Sequence, residues 1–256
     1  MGVGVVEIKM NLSNITIGIT SFLRHGYLRQ SLHGIRINFS DCRWLVADDS
    51  DVPPPLSSEE MVRLSFDSGL GAKRNALIEN TKTEYLLLAS DDFVFDEESR
   101  MGVELLKMTL DRNPEVSVAA GRVNDRPYEG FLEYSRGTYL KEILFDGDKN
   151  PLYNTDPNCY KVDIAANYFL ARTHRLIHWP ESIKIGGEHG LWFLRMKQAG
   201  RIVVWVPGVN IQTQENNPSK KDSRYDMLRR RCWDGHNKMK QILEIKKYID
   251  FFGIET

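Results

Sequence analysis

Short apolar runs alternate with helical patterns through the first half of this 256-residue chain. The runs with strand character are rich in Val, Ile, Leu and Ala, and they are Ile15–Thr20, Arg43–Ala47, Tyr85–Ala89 and Val116–Ala120. Helical patterns lie between them at Tyr27–Ile35, Lys73–Asn80 and Glu97–Arg112. This alternation predicts an α/β fold, in which a mainly parallel central sheet is covered by helices on both faces.

The second half of the chain is less regular. Tyr128–Asn158 is rich in Gly, Tyr and Asp, which predicts a long surface excursion. Val162–Ala171 and Ile202–Val206 have strand character, and Leu191–Ala199 has a helical pattern between them. We expect a basic helical tail to begin near Ser223.

Composition and charge narrow the class of protein. Hydrophobic residues make up 41% and charged residues 27%, as in ordinary globular proteins. The net charge of −1 gives the whole molecule no general attraction to polyanions. The segment from Lys220 to Lys247 nevertheless carries ten Lys and Arg against four Asp and Glu. Such a run is typical of a solvated helix face, and the alternative is a surface that faces phosphate or another polyanion.

Cysteine usage and hydropathy indicate the compartment. Cys42, Cys159 and Cys232 are far apart and form no CxxC pair, which argues against a disulfide framework or a zinc site. No apolar run approaches the roughly 20 residues that cross a bilayer, and the N-terminus lacks the pattern of a signal peptide. We therefore expect a soluble, cytoplasmic protein with no transmembrane segment.

Polar residues follow three of the predicted strands where each strand ends. Thr20-Ser21, Asp48-Asp49 and Asp91-Asp92 occupy these positions. Parallel α/β sheets bind their ligands at the carboxyl ends of the strands. Each pair alone is compatible with ordinary turn chemistry, but three pairs at one edge predict a binding site there.

The segment Leu86–Phe95 carries the most specific chemistry. An apolar strand ends in the adjacent carboxylates Asp91 and Asp92, and another apolar run follows. Hard divalent cations take oxygen ligands and leave positions for phosphate, so two carboxylates suffice when a diphosphate supplies the rest. The alternative is a helix N-cap, because the acidic residues 96–98 follow at once.

Four stretches together resemble the β-1,4-N-acetylgalactosaminyltransferases of the ganglioside-synthase type, which belong with family 2 among the GT-A glycosyltransferases. Thr83–Phe95 is similar to the family stretch that ends Asp-Asp-Asp-Phe-Val-Phe, and Val162–Thr173 to its Val-Asp-x-x-x-Asn-Phe-Phe-Leu-Ala-Arg-Thr run. The likeness resumes at Gly187-Glu188-His189 and at Phe193-Leu194-Arg195. It implies a GT-A (Rossmann-like) three-layer sandwich.

The resemblance also implies a division of the chain, as one GT-A domain over residues 1–256. Residues of about 12–120 would bind the nucleotide sugar, about 121–215 would form the acceptor and catalytic half, and about 216–256 the basic helical tail.

The resemblance assigns residues to the nucleotide. Thr20 and Arg24 would line its pocket, and Asp49 or else Asp48 would accept a hydrogen bond from the base, most readily uracil N3–H. Gly71-Ala72-Lys73-Arg74-Asn75 is similar to the Gly-x-x-x-Arg-Asn element of family 2, which places Lys73 and Arg74 near the base and phosphates. The alternative for Lys73 and Arg74 is the exposed first turn of a helix.

The resemblance places the general base in a glycine-rich loop, Ile185–Gly190. Gly186-Gly187-Glu188-His189 lies where inverting members carry a Gly-Gly-Glu-Asp-like loop, and a residue there would deprotonate the acceptor hydroxyl. Glu188 is the first candidate. His189 stands where the family has Asp, and it is the alternative, as base or as metal ligand.

Two departures from the family pattern weaken the metal site. Ser90 replaces the first acid of Asp-Asp-Asp, so the DXD-like motif keeps only Asp91 and Asp92. Many relatives also supply a His after the last core strand, where this chain has residues Ile211–Gln214. A metal ion could then take His189 or the distant His236 as a further ligand. The basic segment Lys220–Arg231 could close over the donor diphosphate.

These observations leave three functions open. The first is a transferase that uses Mn²⁺ or Mg²⁺ and a UDP-sugar, with UDP-N-acetylgalactosamine favoured over UDP-glucose, UDP-galactose or a pentose donor, and a glycan acceptor. We expect a single displacement that inverts the anomeric centre. We also expect that the protein comes from a bacterium or a virus. The second is a phage-type transferase that glycosylates hydroxymethylated bases in DNA. The third is a catalytically degenerate module that only binds the nucleotide sugar.

Overall fold

The computed structural model describes residues 10–147, 156 and 158–256. Its strands, in chain order, are β1 (Ile15–Ser21), β2 (Arg43–Asp48), β3 (Met61–Arg63), β4 (Tyr85–Ser90), β5 (Val116–Val123), β6 (Gly130–Ser135), β7 (Tyr139–Leu144), β8 (Tyr160–Val162), β9 (Phe169–Arg172), β10 (Ile202–Ile211) and β11 (Lys247–Ile249). Its α-helices are α1 (His25–Asn38), α2 (Leu70–Asn80), α3 (Glu97–Arg112), α4 (Glu188–Gln198), α5 (Arg224–Arg229) and α6 (Cys232–Leu243).

Eight strands form the central sheet, in the order β3, β2, β1, β4, β9, β5, β10 and β8. Strands β3, β2, β1 and β4 are parallel to one another, and β5 is parallel to β10. Strand β9 lies antiparallel between β4 and β5, and β8 lies antiparallel at the edge beside β10. The sheet is therefore mixed, with parallel pairs in the majority, as the sequence predicted.

Two apolar cores lie on opposite faces of this sheet. Helices α1 and α3 cover one face, and α2, α4 and α6 cover the other. Strand β4 serves both: Tyr85, Leu87 and Ala89 point into the first core, and Leu86 and Leu88 into the second. A strand covered on both faces must be apolar throughout, which explains why this run shows no alternation of polar and apolar residues.

The carboxyl ends of β2, β1 and β4 lie side by side. In the paired register Thr20 is opposite Ser90, and Ser21 is opposite Asp48. The polar pairs that follow these strands are thereby brought to one edge of the sheet, as their positions in the sequence predicted. Helix α3 is capped separately, because the Asp96 side chain accepts a hydrogen bond from Ser99 N in a capping box. The carboxylates of Asp91 and Asp92 are therefore not needed as its cap.

The prediction of a long surface excursion at Tyr128–Asn158 is wrong over much of that segment. Strands β6 and β7 form an antiparallel hairpin there, and β11 adds to β7 in a second, three-stranded sheet. Residues 148–155 and 157 of the excursion lie outside the described residues. The predicted basic helical tail is not helical to its end, because it includes the strand β11. Its residues Met239, Leu243 and Tyr248 are buried in the second core.

Two other expectations differ from the structure. The single strand predicted at Val162–Ala171 is two strands with different neighbours, since β8 pairs with β10 and β9 pairs with β4 and β5. Helix α4 begins at Glu188, three residues earlier than predicted, so Glu188 and His189 lie on its first turn and not in a loop. Among the described residues, no helix is both long and apolar enough to cross a membrane.

Candidate active site

A cavity of about 670 Å³ lies at the carboxyl edge of the central sheet. Almost every site residue that the sequence singled out lines it, namely Thr20, Arg24, Asp49, Lys73, Arg74, Asp91, Asp92, Glu188 and His189. These residues come from segments up to 169 positions apart, from Thr20 to His189, so the fold has gathered them. The arrangement matches the rule that α/β sheets bind ligands at the ends of their strands.

Asp48 is the exception. It is fully buried, and it accepts hydrogen bonds from Arg63 Nη1 at 2.9 Å, from Ser50 N at 3.0 Å and from Ser50 Oγ at 3.0 Å. It does not appear in the wall of the cavity. The structure therefore corrects the expectation of a base contact from Asp48, whose carboxylate orders the β2 exit and leaves Asp49 as the candidate.

Asp49 and Lys73 form a buried ion pair beneath the cavity. Lys73 Nζ donates to Asp49 Oδ1 at 2.7 Å and to the Ser21 carbonyl at 3.2 Å, and Gly69 N donates to Asp49 Oδ2 at 2.9 Å. Lys73 is 3% exposed and Arg74 is 6% exposed. The alternative of an exposed first helical turn is therefore wrong, and both cations are held at the site.

Arg24, which was predicted to line the nucleotide pocket, contacts both carboxylates of the acid pair. Its Nη1 donates to Asp92 Oδ2 at 2.8 Å, and its Nη2 donates to Asp91 Oδ1. The guanidinium also stacks on Tyr225 of the tail, 4.7 Å from the ring centre. Arg24 thus neutralises the two carboxylates to which the sequence assigned a metal ion.

The acid pair fits a divalent cation only in part. Asp91 Oδ2 is buried and has no hydrogen-bond partner within the described part of the chain, which leaves one ligand oxygen free. Burial, reinforced by the neighbouring Asp92, raises the pKa of Asp91 to about 6 against the opposing effect of Arg24. Among the described residues no group of three or more His, Cys, Asp and Glu could hold a metal. The two carboxylates therefore suit a cation whose other ligands come from a diphosphate.

Glu188 lies at the start of α4 and lines the same cavity as the acid pair. Gly186 (φ 79°) and Gly187 (φ 83°) precede it in the left-handed conformation that favours glycine. Glu188 Oε1 is 3.7 Å from Arg74 Nη1, and its Oε2 is buried with no hydrogen-bond partner within the described residues. Arg74 in turn stacks on Trp179, 3.9 Å from its ring centre. An orphaned carboxylate oxygen at a cavity wall is suited to accept a hydrogen bond from a ligand.

His189 is held in a different way. With a separation of 2.7 Å, its Nε2–H donates to the Ala165 carbonyl, and its ring packs against Trp179, Phe193 and Tyr128. Burial, helped by the charge of Arg74, lowers the pKa of His189 to about 3. The ring is therefore neutral and weakly basic, and its geometry suits packing of the α4 start better than proton transfer or metal ligation.

The tail supplies a third wall that the sequence did not assign residue by residue. Tyr225, Leu228, Arg229, Arg231, Cys232 and His236 all line the cavity. Arg231 donates to Asp67 at 2.8 and 3.0 Å, and Lys184 also pairs with Asp67. Arg229 is exposed at the wall, and it lies 6.0 Å from the Tyr225 ring centre. The local surplus of basic residues was the one sequence feature that pointed to this wall.

The fold is that of the GT-A glycosyltransferases. The structure of GalNAc-T7 with UDP, GalNAc and Mn²⁺ matches 86% of this chain and 47% of its own at a TM-score of 0.58 and 12% identity. The structure of Staphylococcus aureus TarS 1–349 in complex with UDP matches 89% of this chain and 72% of its own at a TM-score of 0.52 and 12% identity. These likenesses establish the architecture alone.

The sequence relatives are β-1,4-N-acetylgalactosaminyltransferases, so the resemblance drawn from the motifs is confirmed. The chain is 31% identical over 213 residues to β-1,4-N-acetylgalactosaminyltransferase 2 of Mus musculus, which covers 80% of this chain and 40% of that relative. It is also 31% identical over 173 residues to β-1,4-N-acetylgalactosaminyltransferase 1 of Rattus norvegicus. That match covers 63% of this chain and 32% of the relative. The chain thus spans less than half the length of these relatives. No protein-family profile matches it.

Proposed function

We propose that this chain transfers a sugar from a UDP-sugar to an acceptor hydroxyl, with inversion and with the help of a divalent cation. The observation that carries the proposal is a single cavity whose walls hold the Asp91–Asp92 pair and, at the start of α4, the orphaned carboxylate oxygen of Glu188. The names of the sequence relatives support UDP-N-acetylgalactosamine as the donor. Within this proposal, residues of about 12–120 bind the donor, about 121–215 bind the acceptor, and about 216–256 form the tail.

The donor would lie at the acid end of the cavity. Asp91 and Asp92 would hold Mn²⁺ or Mg²⁺, which when bound neutralises charge on the diphosphate as it leaves. Lys73, Arg74 and Arg229 add positive charge to the surrounding walls. Two proteins of the same fold have been solved with UDP, one of them also with Mn²⁺, which supports a UDP-sugar as the donor. Asp49, paired with Lys73, is the candidate for the contact to the base.

The acceptor would be activated by Glu188. The carboxylate takes the proton of the acceptor hydroxyl, the freed oxygen attacks the anomeric carbon, and the bond from that carbon to the UDP oxygen breaks. Arg74 Nη1 lies 3.7 Å from Glu188 Oε1 and helps to hold the carboxylate in position. A single displacement of this kind inverts the anomeric centre.

The charges of the tail argue against a DNA acceptor. Arg231 and Lys184 pair with Asp67, Arg224 with Asp51 and Asp222, and Lys221 with Asp226. A basic surface that binds DNA must leave its cations free for phosphate. Lys221, Arg224 and Arg231 of this segment are instead paired with acids of the protein, which favours a glycan acceptor.

The proposal is tested by the hydrolysis and transfer of UDP-N-acetylgalactosamine with and without Mn²⁺. We expect Mn²⁺-dependent release of UDP that Asp92→Asn lowers by about 100-fold or more, the scale of a lost charge contact at a transferring group. Asp111→Asn is the control, because Asp111 lies on α3, outside the cavity, where it pairs with Lys107. UDP binding without turnover in the wild type would instead support the degenerate binding module.

A further inference from the structure

Aromatic rings from two distant segments form the wall of the cavity beside Glu188. Tyr128 comes from the stretch before β6, whereas His236 and Tyr248 come from the tail. His236 lies 5.1 Å from Tyr248 between ring centres, and Trp233 lies 6.1 Å from His236. Rings with polar edges present both apolar faces and hydrogen-bonding groups, which is the surface that a sugar ring requires.

A glycine places His236 next to the candidate base. A Cβ atom added to Gly187 would lie 3.2 Å from His236 Cδ2, closer than an ordinary contact. Because Gly187 directly precedes Glu188, the imidazole lies against the first turn of α4 where the carboxylate begins. Any larger residue at position 187 would push the imidazole away from Glu188.

Two polar atoms at this wall have no protein partner. His236 Nδ1 and Glu188 Oε2 are both buried, and neither makes a hydrogen bond within the described residues. A buried polar atom without a partner destabilises a protein, so such atoms in a cavity wall are commonly satisfied by a ligand. Neighbouring hydroxyl groups on one ligand would satisfy both atoms at once.

The next ring outward offers a further contact. Trp233 is 59% exposed, although its neighbour His236 is part of the cavity wall. A large exposed ring at the edge of a polar cavity gives a flat apolar face on which a second sugar can stack. The aromatic wall thus continues from the cavity to the surface.

We infer that the wall formed by Tyr128, His236 and Tyr248 is the acceptor subsite, and that it takes a hexopyranose. One hydroxyl of the sugar binds Glu188 and a neighbouring hydroxyl binds His236 Nδ1, while Trp233 stacks against the part of the acceptor outside the cavity. The inference rests on the proposed function. It assigns the donor to the acid end of the cavity, so changes at His236 should affect the acceptor more than the donor.

The test separates transfer from donor hydrolysis. Wild type, His236→Leu and His236→Asn are assayed with UDP-N-acetylgalactosamine and Mn²⁺, first with water as the only acceptor. They are then assayed with methyl glycosides of glucose, galactose, N-acetylglucosamine and N-acetylgalactosamine. Asn places a polar atom where histidine has Nδ1, whereas Leu removes it. His33→Leu is the matched control, because His33 is exposed on α1 and does not line the cavity.

We expect His236→Leu to raise the KM for the accepted glycoside by about tenfold, the effect of one lost hydrogen bond, and to lower donor hydrolysis much less than transfer. His236→Asn restores most of that loss. Equal losses of hydrolysis and transfer, or no loss of transfer, would overturn the inference, as would a wild type that hydrolyses the donor and accepts no glycoside. A wild type that does not cleave the donor at all would overturn the proposed function itself.

Discussion

Arg24, Asp91 and Asp92 form a charge cluster in which one guanidinium contacts both carboxylates. Arg24 Nη1 donates to Asp92 at 2.8 Å, and Arg24 Nη2 donates to the fully buried Asp91. The guanidinium offsets part of the negative charge of the two acids, and stacking on Tyr225 holds it there. A cation bound to the free Asp91 oxygen would lie beside the guanidinium, and the two positive charges would repel each other.

At this scale we predict that Arg24→Met binds Mn²⁺ more tightly than the wild type does when no nucleotide is present. The substitution removes the competing cation and leaves two adjacent carboxylates unpaired, which raises the local negative charge. The expected gain is about tenfold or more, since a buried ion pair contributes on the order of 1–2 kcal/mol after desolvation. Titration of Mn²⁺ by electron paramagnetic resonance measures it, with Arg36→Met on the outer part of α1 as the control. Equal Mn²⁺ affinities in the variant and the wild type would refute the competition.

The second prediction at the residue scale concerns the base. Glu188→Gln keeps the size and the hydrogen-bonding capacity of the side chain and removes its basicity. We expect kcat to fall by about 100-fold or more, with little change in the KM for the donor. Steady-state kinetics with UDP-N-acetylgalactosamine check this, and Glu79→Gln, 57% exposed on α2, is the control. A normal kcat in Glu188→Gln would remove the residue from the mechanism.

At the scale of elements, the start of α4 and helix α6 are fitted to each other through glycines. A Cβ atom on Gly235 would overlap the carbonyl oxygens of Ile185 and Gly186, and a Cβ atom on Gly186 would overlap Cys232. The glycine-rich segment before Glu188 thus permits both a left-handed backbone and close contact with the tail. The contact brings His236 against Gly187, the residue before Glu188, so it couples the tail to the segment that carries the proposed base.

We predict that Gly235→Ala destabilises the protein by about 1–3 kcal/mol, the usual cost of overpacking. Alanine is the better helix former, so a loss of stability would come from the overlap with α4 and not from helix propensity. Unfolding in urea measures the free energy. Gly147→Ala is the control, because its Cβ would meet only Phe145, at an ordinary 3.6 Å. If Gly235→Ala were as stable as the control, the tight contact between the elements would be disproved.

At the scale of the whole molecule, the second sheet buries an acid that should make folding depend on pH. Glu142 of β7 is 3% exposed and accepts a hydrogen bond from Tyr248 Oη of β11 at 2.7 Å. Burial raises the pKa of Glu142 to about 7, with a smaller effect of the same sign from Asp250. The folded state therefore holds this proton at pH values where the unfolded chain releases it.

A raised carboxyl pKa stabilises the fold when the group is protonated. The contribution is present below the unfolded pKa of 4.5 and is lost as the pH rises towards about 7. We predict that Glu142→Gln, whose oxygen still accepts from Tyr248, loses less stability between pH 5 and pH 8 than the wild type does. The difference is on the order of 3 kcal/mol from the size of the pKa shift. Urea unfolding at several pH values checks it, with Glu133→Gln on the exposed face of β6 as the control. Parallel profiles for wild type and Glu142→Gln would contradict the assignment.

The local pattern of the sequence determined the central sheet and the acid edge. Runs such as Ile15–Thr20 and Tyr85–Ala89 are apolar because both faces of the sheet are covered. Such a run can be recognised from the local sequence, without knowledge of distant contacts. The order of elements then placed Asp49, Asp91 and Asp92 at strand ends, where they line one cavity. Strand β11 was missed within the predicted helical tail, because it pairs with β7 about 100 residues earlier in the chain.

Only the tertiary structure decided what these residues contact. Arg24 contacts the acids 67 and 68 positions away, and His236 of the basic tail packs against Gly187, the residue before Glu188. It also decided that Asp48 faces the interior and that His189 packs among aromatic rings. Periodicity reports which face of an element is buried, whereas partners from distant segments depend on how the layers pack. That packing is set by the whole chain, and no single stretch of it carries the information.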